Sequence, residues 1–231
     1  VLFNLMFDNA SKSCIEYEQY FFQGFTQVPH FKERFISTGD GGFLIFDNPF
    51  QSLIFSMYFQ MGVHVFNAGK CRYPLECNLY EIIGKIELRY CVTTDSIYKY
   101  KDNYYGIGII NNSRILSKDH LNRFLLDSNT LDWFAKSINT VESLSIITID
   151  DISKILNSTG TTSGSPTSML FNANNKLIKF VSIQKLGTLQ SKSTKLDVYN
   201  LYILFQLASL PQTNFNVYIA ALGNTNTLGI E

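Results

Sequence analysis

Residues 31–46 read FKERFISTGDGGFLIF, and this stretch decides the fold class. Phe31 to Thr38 is an apolar, strand-forming run, Gly39-Asp40-Gly41 is a tight turn, and Gly42 to Phe46 is a second apolar run. Two such runs joined by an Asp-Gly turn specify an antiparallel hairpin, because the turn needs backbone angles that glycine adopts without steric cost. Asn48-Pro49 follows as a stop-and-start signal, and then Phe50 to Phe66, an apolar stretch broken by Gln51, Ser52, Gln60 and His64. That pattern predicts a buried helix. It falls short of the roughly 18 uninterrupted apolar residues of a membrane span, so no membrane is expected.

Working outward, Val1 to Phe7 (VLFNLMF) reads as a core strand and Ser11 to Phe22 as a helix capped by Asn9. Downstream, Glu81 to Thr94 and Ser96 to Tyr100 read as strands, Gly108 to Leu116 as a helix, and Phe124 to Leu126 as a short strand. Asn129 or Thr130 is placed to cap a helix over Leu131 to Ile138. Ser158 to Ser168 is a Gly/Ser/Thr-rich loop, after which Lys176 to Gln190 and Leu196 to Phe205 predict a long antiparallel hairpin around Ser191 to Lys195. The last segment, Val217 to Glu231, contains the turn-rich Gly223-Asn224-Thr225-Asn226, to which the sequence assigns no purpose. Helices alternating with antiparallel strands predict the α+β class rather than a parallel doubly wound sheet. The chain starts at Val1, inside a predicted strand and without a methionine, so part of the N-terminus is expected to precede it.

Nineteen Lys+Arg balance nineteen Asp+Glu, which leaves no basic field and makes nucleic acid an unexpected partner. Only 16% of the 231 residues are charged while 14% are aromatic, a composition that fills a core and leaves surface for a second subunit to cover. Cys14, Cys71, Cys77 and Cys91 form no CxxC pair and His30, His64 and His120 lie far apart, which argues against zinc. With no signal or transit segment, a reduced, cytoplasmic chain is expected. The absence of GxxxxGK[ST], HExxH and GxSxG removes the P-loop, zincin and serine-hydrolase readings.

The chemistry concentrates on Asp40. Glycines on both sides hold its carboxylate at the tip of a hairpin, where backbone can approach a ligand and a hard oxygen suits Mg²⁺ or Mn²⁺. On the turn alone, an ordinary hairpin residue is the simpler reading. Further along stand Asn103-Tyr104-Tyr105-Gly106-Ile107-Gly108-Ile109-Ile110-Asn111-Asn112-Ser113-Arg114, then Phe124-Leu125-Leu126-Asp127 and a late Asp197-Val198-Tyr199-Asn200-Leu201. In this order the segments resemble the class III nucleotide cyclases, whose catalytic domain carries a "GDG" hairpin, a "YYG" turn, a helix ending in "AAR" or "ASR", and a closing "vY.l" strand. The resemblance runs from about Val1 to Leu201. It implies one cyclase domain over residues 1–231, with a ferredoxin-like core and a C-terminal hairpin extension.

The same resemblance implies roles for particular residues. Asp40 would bind one of two metal ions. Leu5 stands where the family's first aspartate belongs; either Asp8, the nearest carboxylate and the favoured one, takes that role in a shifted register, or the aspartate is expected in residues ahead of Val1, or the chain is a degenerate one-metal relative. Arg114 matches the transition-state arginine, whose fixed donors suit developing phosphoryl charge. Ile110 occupies the family's asparagine position, and Asn111, at i,i+3 from Arg114, is the substitute. Lys185, Lys192 and Lys195 are candidates for the second cation, with Lys185 favoured because Leu186-Gly187 follows it. Ile36 and Asn103 fall where purine cyclases carry their base-reading pairs. Neither purine pattern is present.

That negative, with Leu88-Arg89-Tyr90-Cys91-Val92-Thr93-Thr94-Asp95 before the YYG turn and Asn111-Asn112-Ser113-Arg114 after it, makes the chain similar to the bacterial Pycsar anti-phage cyclases, which make cyclic UMP or cyclic CMP. The implied reaction converts a pyrimidine triphosphate, UTP ahead of CTP, to its 3′,5′-cyclic monophosphate and diphosphate. The implied cofactor is Mg²⁺ or Mn²⁺. The implied partners are a second copy of the chain, with active sites shared between subunits, and a downstream effector that senses the cyclic nucleotide. Leu5 and Ile110 also motivate a second reading, a degenerate cyclase-like module that binds nucleotide or a partner without turnover. A palm-type domain making oligonucleotides, which also uses a "GD" hairpin, is opposed by the YYG-to-Arg114 segment.

Overall fold

A computed structural model describes residues 6–8, 10–11, 31–69, 74–145, 167–169, 180–191, 194–209 and 216–230. The expectations for Val1–Leu5, most of the helix after Ser11, residues 158–166, Lys176 and Lys192 lie outside the described residues. Where the first run is described it is not a strand. Met6–Asp8 and Ala10–Ser11 (α1) have helical backbone, and Met6 and Phe7 are buried. A short apolar run cannot by itself distinguish strand from helix.

The hairpin forms, but its strands are shorter than the expected Phe31–Thr38 and Gly42–Phe46. A 3₁₀ turn at Phe31–Arg34 leads into β1 (Phe35–Ser37), which pairs antiparallel with β2 (Gly42–Leu44). The turn closes through Thr38 N–H donating to Gly41 C=O at 3.0 Å. Helix α2 (Pro49–Asn67) then starts where Asn48-Pro49 directs, with Asn48 accepting from Gln51 N–H. Buried Gln51 reaches back to accept from Asp47 N–H at 2.8 Å, and Arg34 pairs with Asp47 at 2.8 Å. These bonds fix the hairpin exit to the helix start. Along α2, Phe55, Phe59, Val63 and Phe66 are buried, each contributing about 1.5–3 kcal/mol by burial.

Glu81 to Thr94 does not extend as one strand. Glu81–Ile83 complete helix α3 (Pro74–Ile83), which stops because Gly84 takes a left-handed φ of 69° and donates its N–H to Tyr80 C=O. Only Tyr90–Val92 (β3) is strand. A hairpin of β4 (Ile97–Tyr100) and β5 (Asn103–Gly106) follows, and then α4 (Ile107–Lys118) and β6 (Phe124–Asp127). Helix α5 (Ser128–Ser145) begins earlier than Leu131, and its cap is Asp127, which accepts from Thr130 N–H at 2.9 Å.

β3 runs parallel to β6, while β6 is antiparallel to β9 (Thr194–Ser209). The expected long hairpin is β8 (Phe180–Ser191) against β9. β10 (Asn216–Leu222) continues the β6 edge of β9, and β7 (Thr167–Met169) continues the β8 edge. Apart from the β3–β6 pairing, every strand pairing described is antiparallel, in agreement with the α+β expectation. One face of this sheet packs Phe124, Leu126, Leu201 and Ile203 in one cluster with the inner residues of α2. A second cluster gathers Ile115 of α4, Leu125 and Val198. Among the described residues no helix is long and apolar enough to cross a membrane.

Candidate active site

A cavity of about 480 Å³ lies between the β1–β2 hairpin and the segment that runs through β3 into the loop before β4. Asp40, Gly41 and Gly42 line it from the hairpin; Thr93, Thr94 and Asp95 line it from the end of β3. Helix α4 closes a third side with Gly108, Ile109 and Asn112, and the aromatic rings of Phe7, Phe55 and Phe59 lie deeper. Asp40 is exposed, so its carboxylate stands at a polar mouth over an apolar interior.

Local bonds fasten each wall. Asn112 donates Nδ2 to Cys91 C=O at 2.7 Å, capping β3 on its unpaired edge, and Thr93 Oγ1 donates to Gly108 C=O at 2.9 Å. Thr94 N–H donates to Asp127 at 3.4 Å, and the Thr94 and Thr130 hydroxyls pair at 2.8 Å. Burial pushes the Asp127 carboxyl above its ordinary value, opposed by the bonds it accepts from Thr130 and Thr94. Gly106 ends β5 and leads into α4 at φ 155°, where a Cβ would clash with Ser96 C=O. No other residue fits that junction without moving the backbone.

Of the residues singled out from sequence, Asp40 lines the cavity. Asp8 sits on α1 and is ion-paired to Lys32 at 2.8 Å, outside the cavity lining. Arg114 is half-exposed on α4, with no ion-pair partner among the described residues. Asn111 turns inward with Ile115, is 4% exposed, and its Oδ1 accepts no hydrogen bond. Its neighbour Asn112, and not Asn111, lines the cavity. Ile36 stands opposite Phe43 in the hairpin, and exposed Asn103 stands opposite Tyr100; neither lines the cavity. Lys185 is paired with Asp197 across β8–β9 at 2.7 Å, and that hydrogen bond holds its ammonium above, and the Asp197 carboxyl below, their ordinary values. Lys195 is exposed on β9.

Thr93, Thr94, Asp95 and Asn112 are among the polar lining residues to which sequence reasoning gave no individual role. The available signal was a polar triplet ending an apolar strand, since the carboxyl ends of parallel strands commonly carry binding groups. Among the described residues no three His, Cys, Asp or Glu side chains converge on a metal position. The donor chemistry nevertheless fits a magnesium-type ion. Of the three carboxylates that line the cavity, Asp47 is ion-paired to Arg34, which leaves Asp40 and Asp95 with two threonines, and such ions are held by one or two carboxylates plus substrate phosphate. No protein family, characterised protein or solved structure matches the chain.

Proposed function

We propose that the chain is the catalytic unit of a class III-like nucleotidyl cyclase with a ferredoxin-like core, acting on a pyrimidine nucleoside triphosphate. The observation that carries this reading is the Asp40 turn opening onto a cavity walled by the helix that bears Arg114. In the reaction the substrate's 3′-oxygen attacks the α-phosphorus, the bond to the β-phosphate oxygen breaks, and diphosphate leaves. The 3′-hydroxyl proton passes to solvent. Asp40, with Asp95 lining the same cavity from the end of β3, would hold Mg²⁺ or Mn²⁺ against the phosphates, and the metal when bound neutralises charge on them. Arg114 supplies donors to the same developing charge.

Arg114 stands outside the cavity lining of its own protomer, which supports a site completed by a second copy. An exposed apolar face adjoins it: Tyr98, Tyr100 and Tyr105 on the β4–β5 hairpin, with Ile107 and Ile110 at the start of α4. Ile110 lies one helical turn before Arg114. A twofold dimer covering this face would bring each Arg114 toward its partner. UTP is the favoured substrate and CTP the next, with the cyclic product acting in the cytoplasm on a sensing effector in anti-phage defence. The engagement of Asp8 by Lys32 favours the second reading, a nucleotide-binding module without turnover.

Mixing two inactive variants separates these readings. Asp40→Ala and Arg114→Ala are each expected to lose turnover with melting temperatures near wild type, because neither side chain is part of the buried core. Mixed under subunit exchange, they are expected to recover up to about a quarter of wild-type turnover, since one mixed site in the heterodimer is wholly wild type. Wild-type turnover without recovery after verified exchange contradicts the shared site. Nucleotide binding without product from any variant, wild type included, establishes the module instead.

A further inference from the structure

We infer that Gly223–Ile230 is a strap that locks α4 to the β8–β9 hairpin, so that the helix and the hairpin hold one fixed separation. The segment leaves β10 and makes no strand pairing, yet its backbone is held at every second residue, 224, 226 and 228. Asn224 Oδ1 accepts from Asn226 N–H at 2.9 Å, and Asn226 Oδ1 accepts from Leu228 N–H at 3.0 Å. The Asn-x-Asn repeat therefore writes two successive side-chain-closed turns, which preset the path of the strap.

Its anchors come from the two parts it joins. From the α4 side, Arg123, 1% exposed, donates Nη1 to the carbonyls of Asn226 and Leu228 at 3.4 and 2.6 Å. The same guanidinium grips Asp119, the C-cap of α4, through Nε at 2.9 Å and Nη2 at 2.7 Å. Asn224 Nδ2 donates to the carbonyls of Leu121 and Asn122. From the hairpin side, buried Asn200 of β9 donates to the carbonyls of Asn224 and Asn226 at 2.8 and 3.2 Å. The end of the strap is apolar. Ile230 is buried in one cluster with Ile115 of α4 and with Leu186 and Leu196 of the hairpin.

The strap meets β8 where that strand is irregular. Pairing passes from Lys185↔Tyr199 to Gly187↔Val198, so Leu186 is an extra residue, and the Ile230 carbonyl lies 3.4 Å from where a Gly187 Cβ would be. Bulges re-aim neighbouring side chains, and the neighbour here is Lys185. A segment more than a hundred residues after α4 thus holds the helix of Arg114 and the strand of Lys185 together. On the cyclase reading these are the two phosphate-facing cations, but the locking itself does not depend on that reading.

Hydrogen–deuterium exchange on the full chain tests the lock without any substrate. Ile230→Ala is expected to raise exchange about tenfold over residues 107–118 and 180–191 while α2 stays at the wild-type rate, and Ile230→Val is expected to restore most of the protection. Asn224→Ala, which removes side-chain bonds but no core packing, is expected to give the same pattern more weakly. It decides the matter if Ile230→Ala does not fold. Faster exchange confined to residues 223–230 overturns the inference, and so does an even rise that includes α2.

Discussion

At the residue scale, one carboxyl couples the cavity wall to a helix. Asp127 caps α5 through Thr130 N–H and accepts Thr94 N–H from the cavity segment, yet it is 4% exposed. Burial raises its folded-state pKa above the unfolded value. A group shifted in that direction contributes stability that is full below the unfolded pKa and is lost as pH rises through the folded one. Asp127→Asn keeps an acceptor oxygen and cannot ionise. Its melting temperature relative to wild type is therefore expected to climb between pH 4 and pH 7. Paired thermal melts across that range check the sign, and a flat or falling difference removes Asp127 as a buried, ionisable link. The residues also show where sequence reading stops. Asp40 was legible because a turn flanked by glycines can only be exposed, whereas the choice between Asn111 and Asn112 depends on which side of α4 meets the sheet. No local pattern records that.

At the element scale, legibility followed capping chemistry. The start of α2 was readable from Asn48-Pro49 because the cap acts on the next three residues and needs no tertiary partner. Asn48→Ala is expected to cost about 1 kcal/mol, read as a lower chemical-denaturation midpoint with an unchanged slope. A cost near zero would mean that the Gln51–Asp47 bonds alone hold the helix start. By contrast, EIIGKIELRY in residues 81–90 is apolar enough for a strand throughout, and only the glycine at 84 marks the end of α3 inside it. Similarly, α5 was expected from Leu131 with Asn129 or Thr130 as cap, because Asp127 reads as the end of a strand. It is both strand end and cap.

At the scale of the whole molecule, the first hairpin, α2, β4, α4 and β6 were legible in order between residues 31 and 127, and the β8–β9 hairpin from its two apolar runs, whereas α3 and β5 were not. The joining of these pieces was not. The strap from residue 223 to residue 230 acts through Arg123 and Asn200, and bonds between residues so distant in sequence leave no periodicity to detect. The same holds for the cavity, whose walls come from three separated segments. Turnover by this chain is read by incubating the purified protein with ATP, GTP, CTP and UTP in turn, with Mn²⁺ or Mg²⁺, and resolving the products by chromatography. A cyclic pyrimidine monophosphate and diphosphate, foremost from UTP and in clear preference to the purines, is the expected result if the chain is a pyrimidine cyclase. Absence of a cyclic nucleotide from all four triphosphates would contradict it.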